Sequence, residues 1–195
     1  TVLYGDNASA GVVNIVTKKG YRSKKAPVKV ESEFGSFEYQ KASFAAQGTA
    51  KHLDYFLNFL HQNKDGYRAN NHYWANDLLG NFKVCPTDKT SIDLSSGYHL
   101  DQYGMPGALF ASDIASLGRK ASTHPEDRGW TSDYFINVDP KILFPVKEHD
   151  VEFSWFSSFR KRFNKSLSVD SWGRWDTAHE INSFELRPKL STEIL

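Results

Sequence analysis

The first twenty residues, Thr1 to Gly20, read TVLYGDNASAGVVNIVTKKG. Gly5, Ala8, Ser9, Ala10 and Gly11 crowd the first half with small side chains, and the apolar run Val12-Val13-Asn14-Ile15-Val16 follows. Physically this is a Gly/Asn/Asp turn feeding a short buried strand, with a basic, glycine-terminated exit at Thr17-Lys18-Lys19-Gly20. The small residues let the backbone pass close to another element, where a larger side chain would clash. Tyr21 to Pro27, YRSKKAP, has no apolar pattern and reads as a linker.

Working outward, the chain from Val28 alternates with a period of two, the mark of strands with one apolar and one polar face. Val28, Val30 and Phe34 oppose Lys29, Glu31 and Glu33; Ala42, Phe44 and Ala46 oppose Lys41, Ser43 and Gln47. Tyr55, Leu57 and Phe59 oppose Asp54, Asn58 and Gln62, with Phe56 and Leu60 as exceptions. Leu78, Phe82 and Val84 oppose Asp77, Asn81 and Lys83; Ile92, Leu94 and Tyr98 oppose Asp93, Ser95, Gly97 and His99. The pattern resumes from Trp130, interrupted by Pro140, continues through Val151, Phe153, Trp155 and Phe159, and ends in a strand from Ala178 to Leu190. That is about eight strands, several longer than the five or six residues common in soluble sheets.

Connections near Lys51, Thr87 and Glu148 read as tight turns, whereas those between them vary. The longest, roughly Gln102 to Gly129, holds an apolar and a polar piece, and a polar loop is expected around Asn164 to Asp176. Tight turns at one end and larger loops at the other are a habit of transmembrane barrels. Phe37 and Tyr39, Tyr73 and Trp74, Trp130 and Tyr134, and Trp172 and Trp175 fall near the loop ends and suit an interfacial aromatic girdle.

Composition fits this reading. The formal net charge is +1, too small to drive binding to nucleic acid. The mean hydropathy of -0.54 is that of a polar chain, yet a membrane strand needs apolar residues on one face only. Aromatics make up 14% of the chain, which suits sheets with interfacial belts. The single cysteine, Cys85, excludes an internal disulfide framework. No catalytic constellation emerges, so no enzyme activity, cofactor or metal is expected. The seven histidines are scattered, and the Gly5 to Gly11 segment lacks the Walker lysine spacing. Tyr103, Met105 and Phe110, in the longest loop, are the candidate wall of a ligand vestibule, being apolar and aromatic in a loop set on a rigid sheet.

Tyr4, Gly5, Ala8, Gly11, Asn14, Ile15, Thr17 and Lys18 resemble, in order and spacing, the segment that ends the plug domain of TonB-dependent outer-membrane receptors. The resemblance implies an all-β chain: a partial transmembrane antiparallel barrel, about eight strands of a barrel of about twenty-two. The implied domains are a plug end (1–20), a linker (21–27) and the start of the barrel (28–195). It further implies a piece of a longer protein, with the TonB box, most of the plug and the remaining strands outside this sequence. The matched residues would be structural, completing the plug sheet. The implied function is energised uptake of a scarce ligand, foremost a ferric siderophore and alternatively cobalamin, across the bacterial outer membrane. The implied partners are the TonB complex and outer-membrane lipid. A passive porin-like channel and a soluble all-β binding module are the readings of other classes.

Overall fold

The computed structural model describes residues 28–146 and 149–192. The plug-end motif from Tyr4 to Lys18 lies outside the described residues, as does the linker. The described chain is one antiparallel sheet of eight strands in sequence order. They are β1 (Val28–Gly35), β2 (Tyr39–Ala50), β3 (Leu53–Lys64), β4 (Tyr73–Thr87), β5 (Thr90–Gly104), β6 (Arg128–Val146), β7 (His149–Asp170) and β8 (Gly173–Thr192). One short helix, α1 (Ala111–Leu117), lies between β5 and β6. Each strand pairs only with its sequence neighbours, so β1 and β8 are the two edges.

The register gathers the apolar side chains of all eight strands on one face. Val30, Phe44, Phe59, Leu78, Tyr98 and Tyr134 follow one another from strand to strand, the last four in direct register with Phe44. On this face the apolar segments are Ala42–Ala50, Leu53–Phe59, Leu78–Val84, Ile92–Leu100, Tyr134–Phe144, Val151–Phe159 and Phe184–Leu190. None of their face-sharing positions is Asp, Glu, Lys or Arg. The first residues beyond each segment are polar: Gln40, His61, Asn76, Gln102, Ser132, Lys161 and Asn182. The face is therefore an uncharged band with a border, not a uniformly greasy sheet. Its large side chains stand in the open, Leu78 at 52% and Leu190 at 71% exposure. The described core is correspondingly small, and Phe56, an expected exception to the alternation, is one of its three buried hydrophobics.

The turns are staggered in one direction. β4 runs three residues beyond Val84, the partner of Leu53 at the start of β3, before it turns. β6 runs four residues beyond Ile142, the partner of Thr90 at the start of β5. With a rise of about 3.3 Å per residue and strands about 4.8 Å apart, that overshoot per hairpin corresponds to a tilt of about 50°. A sheet that shears steadily in this way is curling toward a barrel, where strand tilt and register stagger are linked. The strands also lengthen along the chain, from 8 residues in β1 to 22 in β7. A tilted span of a bilayer needs about 9–11 residues. β6, β7 and β8 therefore rise far past the border of the band.

Several connections differ from the sequence expectation. β7 and β8 meet at Asp170 and Gly173, so the loop expected around Asn164 to Asp176 is mostly strand, closed by a short turn. Asp170 sets that turn by accepting from the Trp172 and Gly173 amides at 2.8 and 3.1 Å. The tight turn expected near Thr87 is present, made by Asp88 and Lys89, and Pro86 itself is still in β4, in a register shift between Val84 and Thr87. A proline has no N–H for the ladder, so the irregularity absorbs it. Pro140 needs no bulge. Pairing to β7 lapses after Val138 and resumes at Lys141 in unchanged register, while β5 pairs with it normally through Ile92. The apolar piece of the long connection holds α1, which is preceded by Phe110 at its N-cap and has no buried residue.

Gly97 shows how tight the polar face is. An added methyl there would collide with the Phe135 ring from the paired position on β6. Gly97→Ala is expected to cost about 1–3 kcal/mol by overpacking, read as a lower denaturant midpoint with an unchanged slope.

Candidate functional site

The polar face carries every charged residue that the alternation assigned to it, and the register orders them in rows across the sheet. One row is Leu60, Asp77, His99, Asp133 and Arg162; the row beneath it is Asn58, Leu79, Gly97, Phe135 and Arg160. Together these two rows line a groove of about 510 Å³. Phe135, Leu60 and Leu79 form its apolar floor, and the absence of a side chain at Gly97 makes room for the Phe135 ring. The volume is within the range of small-molecule sites, which is about 300–1,000 Å³.

Two ionic groups occupy the groove. His99 is bracketed by carboxylates, with Nδ1 2.7 Å from Asp77 Oδ1 and Nε2 3.0 Å from Asp101 Oδ2. A histidine between two acceptors donates through both ring nitrogens only when protonated. Asp133 is buried, 6% exposed, and both its oxygens are taken by arginines: Arg160 Nε donates to Oδ1 at 2.8 Å and Arg162 Nε to Oδ2 at 2.8 Å. The two guanidiniums remain about half exposed, 49% and 42% at the side chain, and so present positive charge to the groove. Two arginines against one carboxylate leave one positive charge over at this end of the groove, and Asp77 and Asp101, two carboxylates against the one His99, offset it at the other.

Asp133 lies thirteen residues from the end of β6, beyond the border of the band. The hydrogen bond from Arg160 is the main influence holding its carboxyl below the usual range; Arg162 acts in the same direction, and burial opposes both. A depressed folded value contributes stability above the ordinary aspartate pKa of about 4, and that contribution is lost as pH falls through the depressed value. Asp133→Asn removes the charge and leaves two guanidiniums facing each other. The expected cost is about 1–2 kcal/mol once solvent screening of the half-exposed arginines is counted. Its unfolding midpoint should differ from that of the parent at neutral pH and converge with it in acid.

Past the strand ends, beyond the strand residues that line the groove, the loops are tied into a roof of their own. Arg68, between β3 and β4, donates to three carbonyls of the long β5–β6 connection: Ala121 at 3.0 Å, Gly107 at 2.7 Å and Pro106 at 3.1 Å. Asn70 sits in the left-handed region, φ 54°, and its amide donates to the carbonyls of His124 and Asp127, both at 2.7 Å. Asp127, 6% exposed, accepts from Ser168 Oγ and the Val169 amide on β7, both at 2.7 Å. The Phe37 and Tyr67 rings meet edge to face at 5.7 Å and join the β1–β2 turn to the same cluster. Loops of this length would be mobile if their backbone groups were left to water; here side chains satisfy them.

The candidate vestibule residues are placed unevenly. Tyr103, the penultimate residue of β5, lies on the polar face, opposite Tyr73, with its ring over Gly129. Met105 follows at the base of the roof, its amide donating to the Asp127 carbonyl at 3.0 Å. Phe110 is the N-cap of α1 and stands 74% exposed. Arg68, Asn70 and Asp127 lie outside the alternation, and Asp133 is in phase with its polar face with nothing to mark its partners. Asn in a polar loop hints at a left-handed position, but its partners depend on loop placement. The girdle is also divided. Trp74, Trp130 and Tyr134 lie on the apolar face, joined by Tyr98 and Phe159, while Tyr39 and Tyr73 lie on the polar face. Among the described residues no histidine, cysteine and carboxylate group forms a metal-holding cluster. None of the described helices is long and apolar enough to cross a membrane, which says nothing of crossing by strands.

This architecture is a stretch of antiparallel barrel wall, tilted, with a polar face that bears a groove and a roof of tied loops. Among solved structures it is similar to the ferric citrate transporter FecA in its unliganded form, with a TM-score of 0.66 and 18% identity. The likeness covers 85% of this chain and 25% of that one, so the chain spans about a quarter of the transporter's length. At this identity the likeness shows the fold. No family model and no curated protein matches the sequence.

Proposed function

We propose that this chain is part of the wall of a TonB-dependent receptor of the bacterial outer membrane, taking up a scarce ligand, foremost an iron chelate of the siderophore type. The observation that carries the proposal is the uncharged band on the apolar face. It matches what a lipid-facing wall requires, since Arg or Lys at mid-bilayer costs a barrel about 2–4 kcal/mol. A soluble sheet would have to cover such a face with a second layer. The class of receptor rests on the opening stretch, whose Tyr4, Gly5, Ala8, Gly11, Asn14, Ile15, Thr17 and Lys18 would complete a plug inside the barrel. The fold likeness to a ferric citrate transporter supports an iron chelate as ligand.

In this reading the polar face lines the lumen and the tight turns face the periplasm. The tied loops, with Tyr103, Met105 and Phe110, form the outer vestibule. The groove at Asp133, Arg160 and Arg162 lies on the ligand's path inward. The TonB complex would act through the plug. The test uses the full-length protein that carries this chain. It should fractionate with outer membranes, shift in gel mobility on heating, and be required for growth on an iron chelate under iron limitation only while TonB is present. Recovery in the soluble fraction would sink the proposal, and TonB-independent uptake would favour a passive channel.

A further inference from the structure

The apolar face changes character abruptly above its border, and only on one side. On β2 to β5 the positions beyond the band are neutral, such as His61, Asn63, Asn76 and Gln102, with no lysine, arginine, aspartate or glutamate. On β6 to β8 the same face carries Arg128, Lys161, Lys165 and Arg174 against two carboxylates, Asp176 and Glu180. Lys161 sits directly opposite Tyr134, the last apolar residue of the band on β6. Arg128 and Lys165 flank the Trp130 ring, at 5.8 and 5.9 Å from its centroid. The carboxylates hold the cations in place without neutralising them. Glu180 lies 3.0 Å from Lys161, and Asp176 lies 3.3 Å from Arg174 and 3.9 Å from Lys165.

The geometry points to a binding site for the phosphorylated headgroups of lipids in the surrounding outer leaflet, built from Lys161, Lys165, Arg128 and Arg174. The inference rests on the reading of the band as membrane-embedded. Given that reading, Lys161 stands at the border of the band, Lys165, Arg128 and Arg174 follow at increasing height above it, and all four are on the lipid-facing side, where a soluble ligand in the lumen does not reach. The Trp130 ring offers an amphipathic surface at the same level, as interfacial tryptophans do. The two-charge surplus on a lipid-facing surface has one class of counterion immediately beside it, the phosphate groups of the leaflet. Four donors along three adjacent strands, β6 to β8, can engage headgroups bearing more than one phosphate, which favours a phosphorylated glycolipid over a zwitterionic phospholipid, whose own amine competes.

The test uses the full-length protein, extracted from membranes, delipidated and reconstituted into phosphatidylcholine vesicles doped with either bisphosphorylated or dephosphorylated lipid A. Bound lipid is counted by native mass spectrometry after mild detergent release. The parent should retain the bisphosphorylated form at least tenfold over the dephosphorylated one, and millimolar inorganic phosphate should not displace it. Lys161→Gln with Lys165→Gln should bring that preference close to unity while leaving heat-modifiable mobility unchanged. Equal retention of the two lipids by the parent, or an undiminished preference in the double variant, overturns the inference but leaves the receptor reading standing. Displacement by inorganic phosphate overturns it in favour of a free-anion site. Failure of the parent to enter vesicles overturns both.

Discussion

Val138→Arg is expected to destabilise the protein in a lipid bilayer by about 2–4 kcal/mol, whereas Ser132→Arg, on the same face of the same strand, should cost less than about 1 kcal/mol. Val138 stands inside the uncharged band, level with Leu94 on β5 and Ser157 on β7. Ser132 is the first position beyond that band, level with Leu100 and Phe163. The two side chains share one exposure class and differ chiefly in height above the turns. In hydrocarbon a guanidinium either loses its hydration or draws water and headgroups inward, and both cost free energy that grows with depth. A solvated sheet has no such gradient, and exposed substitutions there usually stay within about 0.5 kcal/mol of each other. Reversible unfolding from lipid vesicles, titrated with guanidinium chloride, measures the difference directly. Equal penalties at the two sites would show that the band is not a membrane band.

The second large effect is local. Arg68→Ala is expected to release the tied loops while leaving the strands intact. The guanidinium donates to three carbonyls that belong to one long connection, and each such charged hydrogen bond contributes about 1.5–3 kcal/mol when desolvated. Here they are partly exposed and share one ordered side chain, so the combined loss is about 3 kcal/mol. That corresponds to an opening of the loop about a hundredfold more frequent. The reporters are the amides of Ala69, Met105 and Thr123, which donate to Lys120, Asp127 and Pro106 carbonyls. Their hydrogen exchange should accelerate by that factor, with amides in the middle of β4 and β5 unchanged. Arg68→Lys should recover only part of the protection, because an ammonium is a point charge and cannot reach three carbonyls in one plane. Unaltered exchange at all three amides in Arg68→Ala would mean that the loop is ordered by its other ties, at Asn70 and Asp127.

The strands were legible because their physics is local. Alternation of Val30 with Glu31 or Leu94 with Asp93 states which side of the backbone is wet, whatever the partners are. The same rule failed at the chain's taller end. Trp172 and Trp175, flanked by serine, glycine and aspartate, have the composition of a loop, yet β7 and β8 continue through that region in register to Asp170 and Gly173. Cross-strand pairing overrode composition there. The turn after Pro86 was legible from proline followed by Asp88, but the register shift that keeps Pro86 itself in the strand depends on β5.

The candidate site was less legible, for a related reason. Arg160 could be assigned to the polar face from its own strand, but its partner Asp133 comes from the strand before and Arg162 from the same row. Nothing in either strand states that those positions meet. Tyr103 and Met105 were marked by their chemistry and do lie at the base of the loop cluster. Arg68 and Asn70 act through backbone carbonyls nearly forty or more residues away, at Gly107, Ala121 and His124.

An all-β chain, the division of each strand into an apolar and a polar face, and most of the tight turns are written in local chemistry. These follow from the two-residue period of an extended backbone and from the conformations that glycine, proline and aspartate favour. Only the tertiary structure decided the register. Because paired strands slide by whole residues, register sets the tilt and places Asp133 between two arginines. It also draws the border where the uncharged band ends and the cations of β6 to β8 begin.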